Sequence, residues 1–401
     1  MVAKICKKLF IWNYTCNFRN YVYPHPNYRN LAADLRYFIK NNAIGVFEQG
    51  DFACSIGDFV RPRAWILQKL LWNPDLDEKA LAEEFFNKYY GPAGPALRKY
   101  LHFMCDELEK SGKRLPTDYL TPDFWLTYEI ILKAREIYAE AEKAVAGLPV
   151  FAERVRRDKL TLDYAYLNSV AAKIRRDRLN GVKSDLDTKK IMALANEFIR
   201  ESAKWKPIQY REHVTFAGHA EQLRDKLADT MNIPLEKIIK AAPEIQNQGV
   251  RWDYLPPSFF VPYHVGRWCF YAKDPAAIAG QAIRLPNTHN AWAYQGPLSK
   301  EYCKFSKKWK LKVEVRCEAA VNSGKALAFG VYDSANRKSL YTTTVDVSAC
   351  RGKGYTFIET PPIELGEDVL FWCAPEKRRP AEVSNSFVSS VIMIASGENE
   401  K

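Results

Sequence analysis

The sequence predicts three architectures in series: an α/β segment, an all-α segment and an all-β segment. Three observations lead there. Residues 1–76 alternate apolar runs with amphipathic stretches, residues 77–242 carry helical periodicity, and residues 267–401 break into short runs separated by turn residues.

In the first segment, KLFIWNY and AIGVFEQ predict strands, while NYRNLAADLRYFIKNN and RPRAWILQKLLWN predict helices. Strands apolar along their length, joined by amphipathic crossovers, indicate a parallel sheet. A closed eight-stranded barrel takes about 250 residues, so two βα units cannot close one. They are either the last two βα units of a (β/α)8 TIM barrel, strands seven and eight, or a small open sheet. An open pair leaves apolar edges such as FIWNY unpaired, which favours the barrel.

From 77 to 242 the chain predicts a helical domain. Thr121, Pro122 and Asp123 resemble a helix start, and Gly91, Gly112 and Gly181 follow periodic segments as left-handed caps would. Residues 243–266, rich in proline and aromatics, predict a linker. After it, runs such as WKLKVEVRCEA, ALAFGVYD, DVLFWCAP and FVSSVIMIA predict a C-terminal antiparallel β-sandwich over 267–401.

The chain has 401 residues, 47% hydrophobic and 26% charged, in keeping with a folded protein of two or three domains. Its net charge of +12 is spread among interleaved acids and bases, as in VFAERVRRDKL, which predicts no nucleic-acid partner. No apolar run reaches the roughly 20 residues of a membrane helix, so no membrane role is expected. No signal peptide is visible in MVAKICKKLFIWNY, and localisation is left unassigned, with export of a longer parent open. The nine cysteines show no C-x-x-C pair and the histidines no ligand spacing, so no metal and no cofactor are expected.

The stretch KICKKLFIWNYTCNFRNYVYPHPNYRNLAADLRYFIKNNAIGVFEQGDF, followed by RAWILQKLLWNPDLD and FFNKYYGPAGPALRKYL, resembles the family called domain of unknown function 4838 (DUF4838). The similarity is dense over residues 4–104 and looser through VRRDKLTLDYAYL and AIRLPNTHNAWAYQ. The family is related to α-glucuronidase-like glycoside hydrolases of bacteria. The resemblance implies an accessory domain, a (β/α)8 barrel, a helical region and a C-terminal sandwich. It implies that this chain enters at strand seven, as an N-terminally truncated member whose partner is the missing N-terminal barrel portion. Where the family usually has an acid before its Leu-Arg-Ala-Trp helix start, this chain has Arg61, which reverses a charge near the barrel mouth.

Glycoside hydrolysis usually takes two carboxylates flanking the sugar bond. Glu48, at the carboxyl end of its strand, is the candidate catalytic residue, and the competing reading is a structural carboxylate bonding neighbouring loops. Gly50 would allow a sharp turn after it. Asn13, Tyr14, Asn17, His25 and Asp51 are candidate substrate-binding residues, against apolar packing, loop hydrogen bonds and turn formation. Trp65 and Trp72, at helical spacing, are expected in the core. In the sandwich, His289, Trp292 and Tyr294 are a candidate sugar-binding group, with core packing as the alternative. The expected function is the C-terminal portion of a glycoside hydrolase acting on glycans and inactive alone, its chemical partner to Glu48 lying outside these residues. The alternative is a non-catalytic carbohydrate-binding or scaffold protein.

Overall fold

A computed structural model of the chain describes residues 2–298, 301–366 and 368–396. The chain divides into two compact units, one formed by 1–170 with 187–224 and the other by 171–186 with 225–401.

The first unit opens with a helical turn α1 (Val2–Ile5), followed by β1 (Leu9–Tyr14), α2 (Leu31–Lys40), β2 (Ala43–Gln49) and α3 (Val60–Trp72). β1 and β2 pair in parallel from Leu9↔Ala43 to Tyr14↔Gln49, the pairing that two apolar strands joined by a helix favour. Among the described residues this sheet has two strands and no third, so a closed barrel is not observed. The consequence shows in the side chains. Phe10, Trp12 and Tyr14 project from β1, and Ile44 and Phe47 from β2, all exposed, with Phe10 reaching 80%. Trp72, expected in the core, is 92% exposed at the end of α3. Trp65 packs on Phe85.

Helices α4 (Glu78–Tyr90), α5 (Gly94–Lys110), α6 (Tyr128–Ala144), α7 (Pro149–Leu179) and α8 (Thr188–Lys204) follow, with a small hairpin of β3 (Gln209–Arg211) and β4 (Val214–Thr215). Phe59, Phe86, Tyr90, Tyr100 and Tyr138 form the buried aromatic core of this unit. Asp77 caps α4 by accepting from the backbone of Lys79 and Ala80. The helix expected from Thr121 starts later: Trp125 and Leu126 turn back onto the Pro122 carbonyl, and Thr127 caps α6 by accepting from Ile130. Gly112 and Gly181 have positive φ, as expected, whereas Gly91 combines φ 57° with ψ −129°, outside the left-handed helical region.

The second unit takes the last turns of α7, α9 (His219–Met231) from Asp225 onward, and α10 (Leu235–Ala241), so the helical stretch 77–242 is not one body. The stretch read as a linker is also structural. β5 (Trp252–Leu255) pairs with the last strand, and β6 (Val261–Pro262) lies on an edge. Proline blurred the strand signal here because it interrupts alternation while remaining compatible with short edge strands. Then come β7 (Phe270–Lys273), β8 (Gln281–Pro286), β9 (Tyr294–Leu298), α11 (Tyr302–Phe305), β10 (Lys308–Ala319), β11 (Lys325–Asp333), β12 (Lys338–Asp346), α12 (Val347–Cys350), β13 (Thr356–Glu359), β14 (Ile363–Glu364), β15 (Val369–Pro375) and β16 (Val383–Ala395).

These strands form two antiparallel sheets. One runs β13-β10-β16-β8-β7, with β14 on β10 and β5 on β16, and the other runs β12-β11-β15-β9-β6. Alternation sends Trp309, Leu311, Val313 and Val315 of β10 inward against Phe329 and Val331 of β11 and Phe371 of β15, all without solvent exposure. Asp253 of β5 is buried and satisfied by Arg175, Arg178 and the Tyr302 hydroxyl at 3.0, 2.8 and 2.6 Å.

Candidate functional site

Two regions concentrate groups that can meet a ligand, one in each unit. In the first, the register sets Asn13 opposite Glu48 at the carboxyl end of the strand pair. Asn13 Nδ2 donates to Glu48 Oε2 at 3.0 Å, Trp12 Nε1 donates to Gln49 Oε1 at 2.6 Å, and the Thr15 hydroxyl donates to the Gln49 carbonyl. Beyond β2 the chain folds back, and a cavity of about 490 Å³ opens between the strand end and α3. Thr15, Glu48, Asp51 and Arg63 furnish its polar lining, with Phe52, Leu67 and Trp72 among its apolar walls.

Both carboxylates carry a buried oxygen without a hydrogen-bond partner among the described residues, Oε1 of Glu48 and Oδ2 of Asp51. Burial raises the Glu48 carboxyl above its ordinary range, opposed by the Asn13 hydrogen bond. Burial pushes Asp51 up to about 7, against the attraction of Arg63. Asp51 therefore holds its proton through mildly acidic pH. Gly57 is required beside it: a Cβ there would fall 1.7 Å from Asp51 Oδ2. Gly50 has no positive φ, so the turn after β2 does not depend on a left-handed glycine there.

The remaining candidates of this unit divide. Tyr14 is exposed on β1. Asn17 is buried and fully engaged, donating to the Tyr119 carbonyl and accepting from the backbone of Arg19 and Tyr119. His25 is buried, with Nδ1 3.3 Å from the Tyr119 hydroxyl, and burial with the nearby Arg63 keeps it neutral. Asn17 and His25 thus hold loops through Tyr119 and are not among the residues lining the cavity. Arg63, which sequence reasoning passed over, organises this floor. Its guanidinium donates to Asn27 Oδ1, the His25 carbonyl and Asp58 Oδ2, and stacks over Tyr28. The RPRAW stretch gave no hint of this, because Arg at a helix start reads as solvated.

The second region is the outer face of the five-stranded sheet. Thr342, Gly330, Trp372, Gln295 and Val261 stand in one row across β12, β11, β15, β9 and β6. Gly330 leaves room for the Trp372 indole, which a Cβ at 330 would meet at 2.9 Å. Trp292 lies flat on Trp372, centroids 4.4 Å apart and planes 7° apart, with Tyr332 edge-on at 5.5 Å. Trp372 is covered, whereas Trp292 keeps 38% of its surface open. Of the three sandwich candidates, only Trp292 takes this position. Tyr294 points into the core with no exposure, because its register sets it opposite core Cys373. His289 is consumed by the backbone, its two ring nitrogens bonding the Trp268 carbonyl and the Ala291 amide. Trp372 and Gly330 were legible as strand residues, but not as neighbours of Trp292, which only the pairing supplies.

Among the described residues no group of three or more His, Cys, Asp or Glu side chains is placed to hold a metal ion, and no helix is long and apolar enough to cross a membrane.

Residues 3–102 match the family model described as "Domain of unknown function (DUF4838)", so an N-terminal DUF4838 domain is present over the stretch that resembles it. No curated protein matches the chain. Among solved structures, the C-terminal family 6 carbohydrate-binding module of LamC, a marine laminarinase from Zobellia galactanivorans, is 9% identical, covering 36% of this chain and 98% of its own, at a TM-score of 0.26. The C-terminal family 22 carbohydrate-binding module of Clostridium thermocellum Xyn10B is 12% identical over 36% of this chain and 87% of its own, at 0.25. A family 61 module, TmCBM61, determined with β-1,4-galactotriose, is 10% identical over 36% and 88%, at 0.24.

Proposed function

We propose that this protein binds carbohydrate and that its C-terminal sandwich makes the contact. The observation that carries the reading is the half-open Trp292, stacked on Trp372 above Gly330 in a row that also offers Thr342 and Gln295. A sugar presents C–H groups on one face and hydroxyls at its rim. A rigid indole backed by a second indole suits the first, and the amide and hydroxyl of the row suit the second. The test is a glycan array on the whole chain, followed by calorimetric titration of the best neutral oligosaccharide. Trp292→Ala is expected to weaken binding at least about tenfold, or about 1.4 kcal/mol. Absence of binding to any glycan, or unchanged affinity in Trp292→Ala, sinks this reading.

A second reading rests on two carboxylates that line one cavity, each with a buried oxygen that has no hydrogen-bond partner among the described residues. In it, the segment is the end of a glycoside hydrolase barrel, completed by strands from a longer parent or another polypeptide, with Glu48 in the catalytic centre. Asp51, with its raised carboxyl, then serves as a proton donor to substrate. In a protein containing the completed barrel, unchanged turnover after Glu48→Gln would remove Glu48 from that role.

A further inference from the structure

Two cysteines of the sandwich meet although neither sequence spacing nor the carbohydrate reading calls for it. Cys317 lies near the end of β10, and its backbone forms an isolated parallel bridge with Arg351 just after α12. The amide of Gly352 donates to the Cys317 carbonyl at 3.3 Å. Cys350, the residue before that bridge, is therefore held beside Cys317. Their sulfurs reach toward consecutive carbonyls: Cys350 Sγ lies 3.5 Å from the Asp346 oxygen, and Cys317 Sγ 4.0 Å from that of Val347. Both thiols thus converge on the same short stretch of backbone at the start of α12. Both are buried. A disulfide needs adjoining backbone of this kind, with Cα atoms roughly 4.4–6.8 Å apart.

We infer that Cys317 and Cys350 are an oxidative cross-linking site whose disulfide ties β10 of one sheet to α12, which follows β12 of the other. The cover over the pair is thin. Residues 351–354, Arg-Gly-Lys-Gly, are all exposed, and Gly352 takes φ 136°, a conformation a side chain would resist. Local opening of that turn and of the four-residue α12 gives a small reagent access while the sheets stay paired.

The chemistry is thiol–disulfide exchange. Cys317, whose thiol is lowered by the neighbouring Cys350 thiol and then, against burial, by Arg316 and Arg351, supplies the thiolate. It attacks one sulfur of a small disulfide, forming a mixed disulfide and releasing one thiolate. Cys350 then loses its proton to solvent and attacks Cys317 Sγ, expelling the second thiol. Two protein S–H bonds become one S–S bond, and the two electrons reduce the small disulfide to two thiols. The loop so closed contains all of β11 and β12.

The test exposes the whole chain to oxidised glutathione, blocks remaining thiols by alkylation, and maps peptides without reduction. The expected product joins the peptides of Cys317 and Cys350 with loss of two hydrogens, reverts with dithiothreitol, and raises the unfolding midpoint of the sandwich by roughly 10 °C. In Cys350→Ala, which removes the resolving thiol, the glutathione adduct is expected to stall on Cys317. The inference is overturned if both thiols remain fully alkylatable after oxidation, in native buffer and in urea below the unfolding midpoint, or if Cys317 pairs with a different cysteine.

Discussion

The strand pair of the first unit and the sandwich of the second use the same kind of residue to opposite effect. FIWNY of β1 and LKVEV of β10 are similarly apolar or alternating, yet β1 shows Phe10, Trp12 and Tyr14 to solvent while β10 buries Trp309, Leu311, Val313 and Val315. The difference is the number of neighbours. β10 has β13 and β16 at its sides and a second sheet across the core, whereas among the described residues β1 has β2 alone. A strand's hydrophobicity thus records the partners it can take, and burial depends on whether they are present.

The largest way to sharpen this contrast is a pair of tryptophan truncations. Trp309→Ala removes a fully buried indole and is expected to cost about 3–5 kcal/mol, while Trp72→Ala at an exposed position should fall within about 0.5 kcal/mol; denaturant unfolding followed by circular dichroism reads both. Comparable costs would mean that α3 is covered in solution.

Buried carboxylates offer the next contrast. Asp253 has two guanidinium partners and a hydroxyl, so Asp253→Ala, which leaves Arg175 and Arg178 facing an unfilled site, should destabilise by about 3 kcal/mol. Asp51 has an orphaned oxygen and a carboxyl raised to about 7 from its ordinary 3.8. Its folded form binds the proton more tightly than its unfolded form. Its contribution is therefore fully present below about pH 4 and lost as the pH rises through 7. Asp51→Asn should then raise stability at pH 8 by about 4 kcal/mol and leave it nearly unchanged at pH 4, measured as unfolding midpoints across pH. Equal effects at both pH values would show that Asp51 gains no proton on folding.

A smaller effect is expected at the exposed strand pair. Phe10→Thr together with Phe47→Thr should lower self-association in analytical ultracentrifugation while shifting the unfolding midpoint by less than about 1 kcal/mol. If the midpoint collapses instead, those side chains have partners in solution.

How much could be read beforehand follows from the range of each signal. The strand–helix alternation around FIWNY and IGVFEQ, the parallel pairing and the sandwich strands are local or nearly so, and periodicity reports them. The start of α6 was misplaced because TPD resembles a cap when read alone, while Thr127 has the hydrogen bond. Glu48 was recognisable from its place at a strand end. The contribution of Asp51 to the same cavity depends on how residues 51–58 fold back, which no periodicity encodes.

The sequence by itself determined where chain segments alternate, cap and turn, because those preferences arise from sterics and hydrogen bonds within a few residues. It also placed the DUF4838-like stretch. Only the tertiary structure decided that Tyr294 is core while Trp292 rests on Trp372, that β5 and β6 belong to the sandwich, and that Cys317 bridges to the backbone beside Cys350. The physical reason is register: cross-strand pairing joins residues far apart in the chain, and a shift of one position would turn every side chain to the opposite face.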